Sequence, residues 1–340
     1  MRINSKNQCA ILMALCVSVI LFSCNDDKDS DSFPDNALSN VGVLDKDLGL
    51  RVKSVGDYNY IYHDDGKLLS IKNYLGHYDF TYKPNKVSYV REDGRETSNY
   101  SIKYNAKGYI SSVSYDRTIA SIDYKSQSKG TSSFTYDKEG HMVKINDSYK
   151  YIEDDTDQKW TDGTTTTTFT WENSLLKKIV SVVKGSNVNG SSLIVQTTTF
   201  EYNNSSIDSY HNKYLQYGYF ASDLFNGLLE PMCYVGLVGY GPEILPSGIK
   251  IEWNEEYYSP EGEKESYYDK ESYSYSYTFN SYGAILDTYI DADSYSFTYD
   301  AINSANANNS QSYVSKAVNT KSDTRSRHIK GALHGGIIKM

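Results

Sequence analysis

Apolar and polar side chains alternate in short runs along most of this chain. In residues 58–62 (YNYIY) and 134–136 (FTY), an aromatic residue stands at every second position. Residues two apart lie on one face of a β-strand, where flat side chains stack well across neighbouring strands. The pattern between residues 48 and 300 therefore predicts a series of β-strands.

A turn signal follows many of these runs, so that one phrase recurs along the chain. Residues 134–136 precede Asp137 and Gly140, and the returning run carries Met142 and Ile145. Asp or Asn followed three residues later by Gly predicts a tight hairpin turn in which Gly adopts a positive φ. Met142 and Ile145 point to opposite faces unless a β-bulge intervenes, so we expect apolar cover on both faces of the sheet. Full or partial copies occur at 58–71, 80–82, 102–113, 169–171, 200–202, 279–283 and 297–300.

The repeat predicts a mainly β fold, a large antiparallel meander of tyrosine-rich hairpins. With 34 tyrosines in the chain and two strands per copy, we expect about 14 to 18 strands, more than the roughly ten that open twisted sheets tolerate. The single sheet must therefore curl or become barrel-like. The β-hairpin repeat domain is predicted to span residues 48–300.

Residues 208–247 interrupt the repeat. Apolar positions in residues 208–230 recur at helix-like spacing, which predicts one helical insert. Pro231, Pro242 and Pro246 then favour an irregular crossing. Because this insert is the least polar part of the chain after the first 23 residues, we expect it to plug or cap the sheet.

The N-terminal segment has the pattern of a secretory signal. Arg2 and Lys6 precede an apolar run over residues 10–22, too short for a stable spanning helix. The run ends as LFSC, which is similar to a bacterial lipobox, so residues 1–23 are predicted to be removed and Cys24 to carry lipid. Residues 24–47 are predicted to form an acidic, lipid-anchored tether.

Charge is unevenly distributed along the chain. The net charge of −9 divides into +2 for residues 1–23, +5 for residues 301–340 and −16 for residues 24–300. An acidic body repels phosphate backbones, so we expect no nucleic-acid partner. Residues 301–340 are predicted to be a basic, disordered tail. Cys233 would be the single thiol left after processing, so no internal disulfide is expected.

Together, these features resemble the DUF4595-type lipoproteins of Bacteroidetes, and the hairpins are similar to Tyr-Asp repeats of the Rhs type. The acidic run after Cys24 also resembles a surface-export signal of such lipoproteins. The resemblance implies a porin-like single sheet with no established biochemical role. A lipid-embedded barrel is the alternative, but it needs strands of about 9–11 residues with an apolar outer face. Here the strands look shorter and carry polar residues, so a water-exposed sheet fits better.

Metal and nucleophile chemistry find little support in the sequence. Asp154, Asp155, Asp157 and Asp162 are dense in carboxylates but lack the spacing of a calcium loop. The six histidines show no zinc-binding spacing, and Cys233 lies in an apolar stretch that would keep its thiol unreactive. We therefore expect no metal, no cofactor and no catalytic residue.

Carboxylates beside aromatic residues are the one pattern that suggests sugar chemistry. Glu252, Glu255 and Glu256 surround Trp253, and glycoside hydrolysis needs two carboxylates at a fixed separation. An ordinary charged hairpin explains the same residues.

Most tyrosines fit a structural role, with the ring packed against the sheet and the hydroxyl toward water. Exposed aromatic faces can also stack on sugar rings. The candidate ligand-binding residues are Trp160, Trp171, Trp253, Tyr214, Tyr217 and Tyr219.

The sequence therefore predicts an outer-membrane lipoprotein, exposed at the cell surface and held by the lipid on Cys24. Its domain would act as a non-catalytic binding or structural module, and a glycan or a peptide is the candidate ligand. The alternatives are a glycan-processing enzyme and a structural partner of another envelope protein.

Overall fold

The computed structural model describes residues 38–39, 41–45, 49–82, 85–120, 125–153, 161–187, 190–203, 229–280, 283–290 and 293–301. These residues form seventeen strands and one short helix. The elements are β1 (Val43–Asp45), β2 (Leu50–Val55), β3 (Tyr58–Tyr62), β4 (Leu68–Lys72), β5 (Gly76–Tyr82), β6 (Asn85–Arg91), β7 (Glu96–Tyr104), β8 (Ile110–Ala120), β9 (Lys125–Tyr136), β10 (Met142–Glu153), β11 (Thr161–Glu172), β12 (Leu175–Asn187), β13 (Gly190–Glu201), α1 (Leu229–Cys233), β14 (Gly248–Tyr258), β15 (Lys264–Phe279), β16 (Ile285–Ile290) and β17 (Asp293–Ala301).

The sheet closes on itself. Strands β2 to β17 pair antiparallel in sequence order, and β17 returns to pair with β2, where Phe297 lies opposite Val55. The result is a 16-stranded up-and-down barrel, which β1 extends only by pairing with β2. This confirms the predicted mainly β, barrel-like single sheet.

A β-bulge recurs where the returning strand begins. In β10, Met142 lies opposite Tyr136 but Lys144 lies opposite Thr135, so β10 advances two residues for one on β9. The bulge turns both Met142 and Ile145 to the inner face, where their exposed fractions are 0% and 3%. The alternative of an intervening β-bulge therefore holds, and these two apolar residues of the repeat share the inner face instead of covering both faces. The pairs Leu68 and Ile71, Ile110 and Val113, and Leu176 and Ile179 are buried in the same way.

The predicted hairpin turns form as the sequence indicates. The Oδ1 atom of Asp137 accepts hydrogen bonds from the backbone N–H groups of Gly140 and His141, both at 2.8 Å. Gly140 has a φ of 100°, a left-handed conformation that favours glycine. Asn105 and Asn280 accept equivalent bonds from the backbone N–H groups four residues later, at 3.1 and 2.9 Å.

Besides Tyr60, six tyrosines among the described residues donate their hydroxyl groups to backbone carbonyls inside the barrel. Tyr136 at the end of β9, for example, donates to the carbonyl of Ile110 at 2.7 Å, and Ile110 begins the neighbouring strand β8. The ring thus packs against the core while the hydroxyl satisfies a carbonyl at the bulge. These carbonyl-bonded tyrosines are Tyr62, Tyr82, Tyr136, Tyr202, Tyr277 and Tyr299.

Residues 229–247 cross one end of the barrel and fill it. Tyr60 of β3 donates to the carbonyl of Pro231, the backbone N–H of Ile110 in β8 donates to Leu237, and Tyr234 packs on Phe297 of β17. Only a segment inside the ring can contact such distant strands at once. The plugging role predicted for the insert holds for these residues, whereas its predicted helical part, 208–228, lies outside the described residues. We call this the packed end of the barrel, and the opposite end the far end.

The folded domain begins before residue 48. Leu38, Val41 and Val43 are buried in the hydrophobic core, and the backbone N–H of Gly42 donates to the carbonyl of Val235 at 2.9 Å. The predicted tether, residues 24–47, is thus too long, because apolar residues from 38 onward pack against the packed end.

The barrel has two chemically different faces. Alternate side chains of each strand join the core on the inner face, and the others face outward. Strands β8 to β15 have 11–16 residues each, against 3–9 for the others, so their wall extends farthest toward the far end. The expectation of strands shorter than the about 9–11 residues of a membrane-spanning strand was therefore wrong for these eight strands.

Candidate functional site

Aromatic and acidic side chains meet on the inner face of β13, β14 and β15, above the core. In one row across the strands, Gln196 lies opposite Trp253, and Trp253 lies opposite Asp269. In the next row toward the far end, Glu255 lies opposite Tyr267. We call this group the inner wall patch, defined by Gln196, Trp253, Glu255, Tyr257, Tyr267 and Asp269.

Strand alternation fixes which residues of β14 enter the patch. Ile249 is 1% exposed and lies in the core, so the residues at two-residue steps after it, including Trp253 and Glu255, share its inner face. Glu252 and Glu256 therefore point outward. The three glutamates singled out in the sequence are separated by the sheet and do not form one carboxylate pair.

The patch is open to solvent, unlike most aromatic residues of the inner face. Tyr267 is 59% exposed and Trp253 is half-buried. Among the described residues, the hydrophobic core and the side chains packed against it do not include Trp253, Tyr257 or Tyr267. Packing in the core thus does not account for the aromatic residues at these positions.

Hydrogen bonds between neighbours on β15 orient the acids of the patch. The Tyr267 hydroxyl donates to Oδ2 of Asp269 at 3.1 Å, and this bond to a carboxylate raises the pKa of Tyr267. Tyr273 donates in the same way to Glu271, one step closer to the packed end. The carboxylates are therefore held along one line, with their remaining lone pairs available as acceptors.

A further inner carboxylate, Asp147 on β10, was missed in the sequence. Ser132 donates to its Oδ1 atom at 2.9 Å, but burial outweighs this bond and raises the pKa of Asp147 above its ordinary value. Its inward position follows from the bulge after Met142, and the sequence gives no direct signal for that bulge.

Trp171 lies away from the inner wall patch. Its Nε1 donates to the carbonyl of Met142 at 2.9 Å, and its ring stacks on His141 with centroids 4.2 Å apart. Nδ1 of His141 in turn lies 3.0 Å from Oδ2 of Asp137, at the packed end. Trp171 thus takes the place of a carbonyl-bonded tyrosine in its repeat.

The other candidate residues, Cys24, Trp160, Tyr214, Tyr217 and Tyr219, lie outside the described residues. Cys233 is buried in the core. Within the described residues, no group of three or more His, Cys, Asp or Glu side chains could hold a metal ion. In that same part of the chain, no helix has the length and apolar character needed to cross a membrane.

Comparison with known proteins gives distant structural similarity. No protein-family model matches the chain, and no curated protein matches it. A porin-like protein from Bacteroides vulgatus ATCC 8482 is similar with a TM-score of 0.45 and 14% identity, covering 73% of this chain and 98% of that one. A porin-like protein from Bacteroides uniformis ATCC 8492 is similar with a TM-score of 0.25 and 12% identity, covering 63% and 96%. Similarity at this level transfers neither function nor location, and the resemblance to DUF4595-type lipoproteins stays a prediction.

Proposed function

We propose that the protein is a lipid-anchored envelope protein whose water-exposed barrel binds a glycan, without catalysis, at the inner wall patch. The observation that carries the proposal is the set of solvent-accessible aromatic rings beside carboxylates on one face. Aromatic faces stack on the apolar faces of sugar rings, and carboxylates and amides bind sugar hydroxyls. Trp253 between Gln196 and Asp269 supplies all three groups in one row.

The outer face supports a barrel that stands in water. Nine lysines of β9–β15 occupy outward positions on this face. A lysine that faces lipid costs about 2–4 kcal/mol at the bilayer midplane and about 0–1 kcal/mol near the interfaces. Together these lysines oppose embedding, because a domain is stable by only roughly 5–15 kcal/mol. They are Lys125, Lys129, Lys144, Lys150, Lys178, Lys184, Lys250, Lys264 and Lys270.

Attachment would then come from the lipid on Cys24, at the outer membrane and on the cell surface. Replacing Cys24 with Ala is expected to move the protein from the membrane fraction to the soluble fraction. Retention in the membrane fraction would refute lipid anchoring. Digestion of intact cells with an external proteinase tests surface display, and protection would place the barrel in the periplasm.

The two other hypotheses need tests of their own. Residues 264–272 of β15 pair with β14 and with no second strand among the described residues, so this stretch offers an edge to a partner strand. For an enzyme, Glu255 and Asp269 are diagonal neighbours on the inner face, a spacing that is compatible with inverting glycoside hydrolysis. We expect Glu255→Gln to weaken glycan binding, and no hydrolysis product from the wild type.

Tryptophan fluorescence tests the glycan proposal. The mature chain with Cys24→Ala is titrated with host and plant oligosaccharides, and a saturable change is expected. Trp253→Phe should abolish this change, whereas Trp171→Phe should retain it, because Trp171 lies outside the patch. A flat response from the folded wild type, or a response that survives in Trp253→Phe, would sink the proposal.

A further inference from the structure

Three exposed lysines lie on the outer face of β10 and β12. Lys144, Lys178 and Lys184 are exposed, and none of the three forms an ion pair with a carboxylate among the described residues. The carboxylates that share the outer face of these strands are Asp162, which pairs with Lys150 at 3.0 Å, and Glu172. We call the outward residues of β10, β11 and β12 the basic outer face.

The lysines of β14 and β15 are different, because carboxylates neutralise them. Lys250 pairs with Glu201, and Lys264 pairs with Glu256 at 2.7 Å. Lys270 lies directly opposite Glu252. In a body whose net charge is −16 over residues 24–300, the basic outer face is a local exception.

Threonine hydroxyls fill the strand between the lysines. On β11, Thr168 lies opposite Lys144 of β10, Thr170 lies opposite Lys178 of β12, and Thr164 lies opposite Lys184. Strands two apart are separated by about 10 Å. The face therefore presents ammonium groups on both sides of a line of hydroxyls.

We propose that the basic outer face binds an acidic polysaccharide, a polymer that carries carboxylate or sulfate groups among free hydroxyls. Lysine matches the anionic groups, and threonine matches the sugar hydroxyls. A membrane surface would instead favour protruding aromatic or leucine side chains, whereas the apolar residues here, Val180 and Val182, are half-buried. This site is separate from the inner wall patch, on the opposite face of the sheet.

Two charge-matched triple variants test the proposal, with polygalacturonate as probe and dextran as the neutral control polymer. The first variant is Lys144→Glu, Lys178→Glu and Lys184→Glu. The second variant, on β14 and β15, is Lys250→Glu, Lys264→Glu and Lys270→Glu. Both variants lower the net charge by the same amount and keep the basic tail, so any difference between them belongs to the face.

We expect the mature chain with Cys24→Ala to bind polygalacturonate but not dextran, and more weakly as salt increases. The first variant should lose about tenfold or more in affinity, since each exposed contact contributes up to about 1 kcal/mol. The second should stay within about twofold of the wild type. Equal losses in both variants, or no binding of polygalacturonate, would overturn the proposal.

Two further measurements complete the test. Tighter binding to vesicles containing phosphatidylglycerol than to polygalacturonate would assign the face to a membrane and overturn the proposal. If the glutamate substitutions prevent folding, the same lysines are changed to Gln, and the expected order of affinities is the same.

Discussion

The carbonyl-bonded tyrosines predict a measurable loss of stability when one hydroxyl is removed. Tyr136→Phe keeps the ring in the core but deletes the donor to the carbonyl of Ile110, at 2.7 Å. Ile110 is fully buried, so water cannot easily replace the lost bond. Leaving a buried acceptor unpaired costs about 1–3 kcal/mol. In a domain of this size, each kcal/mol lowers the melting temperature by about 2–4 °C.

Tyr268→Phe is the matched control for this prediction. Tyr268 lies on the outer face of β15 and is 54% exposed, so the same change there should stay within about 0.5 kcal/mol. Urea unfolding of both variants, followed by far-UV circular dichroism, gives the free energies of unfolding. If Tyr136→Phe were as stable as Tyr268→Phe, the buried hydroxyl bonds would not stabilise the fold.

Three further predictions concern titratable groups. Burial raises the pKa values of the six carbonyl-bonded tyrosines. Their contribution to the free energy of unfolding is therefore fully present below pH 10 and is lost as the pH rises above it, at about 8 kcal/mol per pH unit for all six. A free energy of unfolding that stays constant at alkaline pH would contradict this. Because burial raises the pKa of Asp147, Asp147→Asn should raise the melting temperature at pH 7, and the gain should disappear near pH 3. Burial alone would raise the pKa of Asp137, but hydrogen bonds from His141 outweigh it and lower this pKa. Asp137→Ala should therefore lower the free energy of unfolding by about 1–2 kcal/mol at pH 7 and by less below pH 3. Thermal melts at both pH values measure this difference.

The strands and turns could be predicted from the sequence because both depend on local chemistry. Alternation such as that in residues 134–136 fixes a strand, and Asp137 with Gly140 fixes the turn. The bulge at Met142 depends on pairing with β9, which single-strand periodicity does not report. That is why the sequence predicted apolar cover on both faces. Closure of β17 onto β2 likewise depends on the number of strands and their register.

The candidate site was predictable only in part. The sequence singled out Trp253, which the structure places half-buried on the inner face. It did not single out Tyr267 and Asp269, because strand pairing alone brings them beside Trp253. Trp171 looks the same in sequence, yet its indole N–H is used by the carbonyl of Met142. Local composition cannot distinguish an aromatic residue that supports the fold from one that faces a ligand.

We propose that the barrel stands in water rather than in lipid, and one preparation tests this directly. The mature chain with Cys24→Ala is expressed without its signal segment and purified without detergent. We expect a folded protein that is rich in β-structure, unfolds cooperatively and does not sediment with neutral phosphatidylcholine vesicles. A protein that folds only in detergent, or that inserts into those vesicles, would contradict the account.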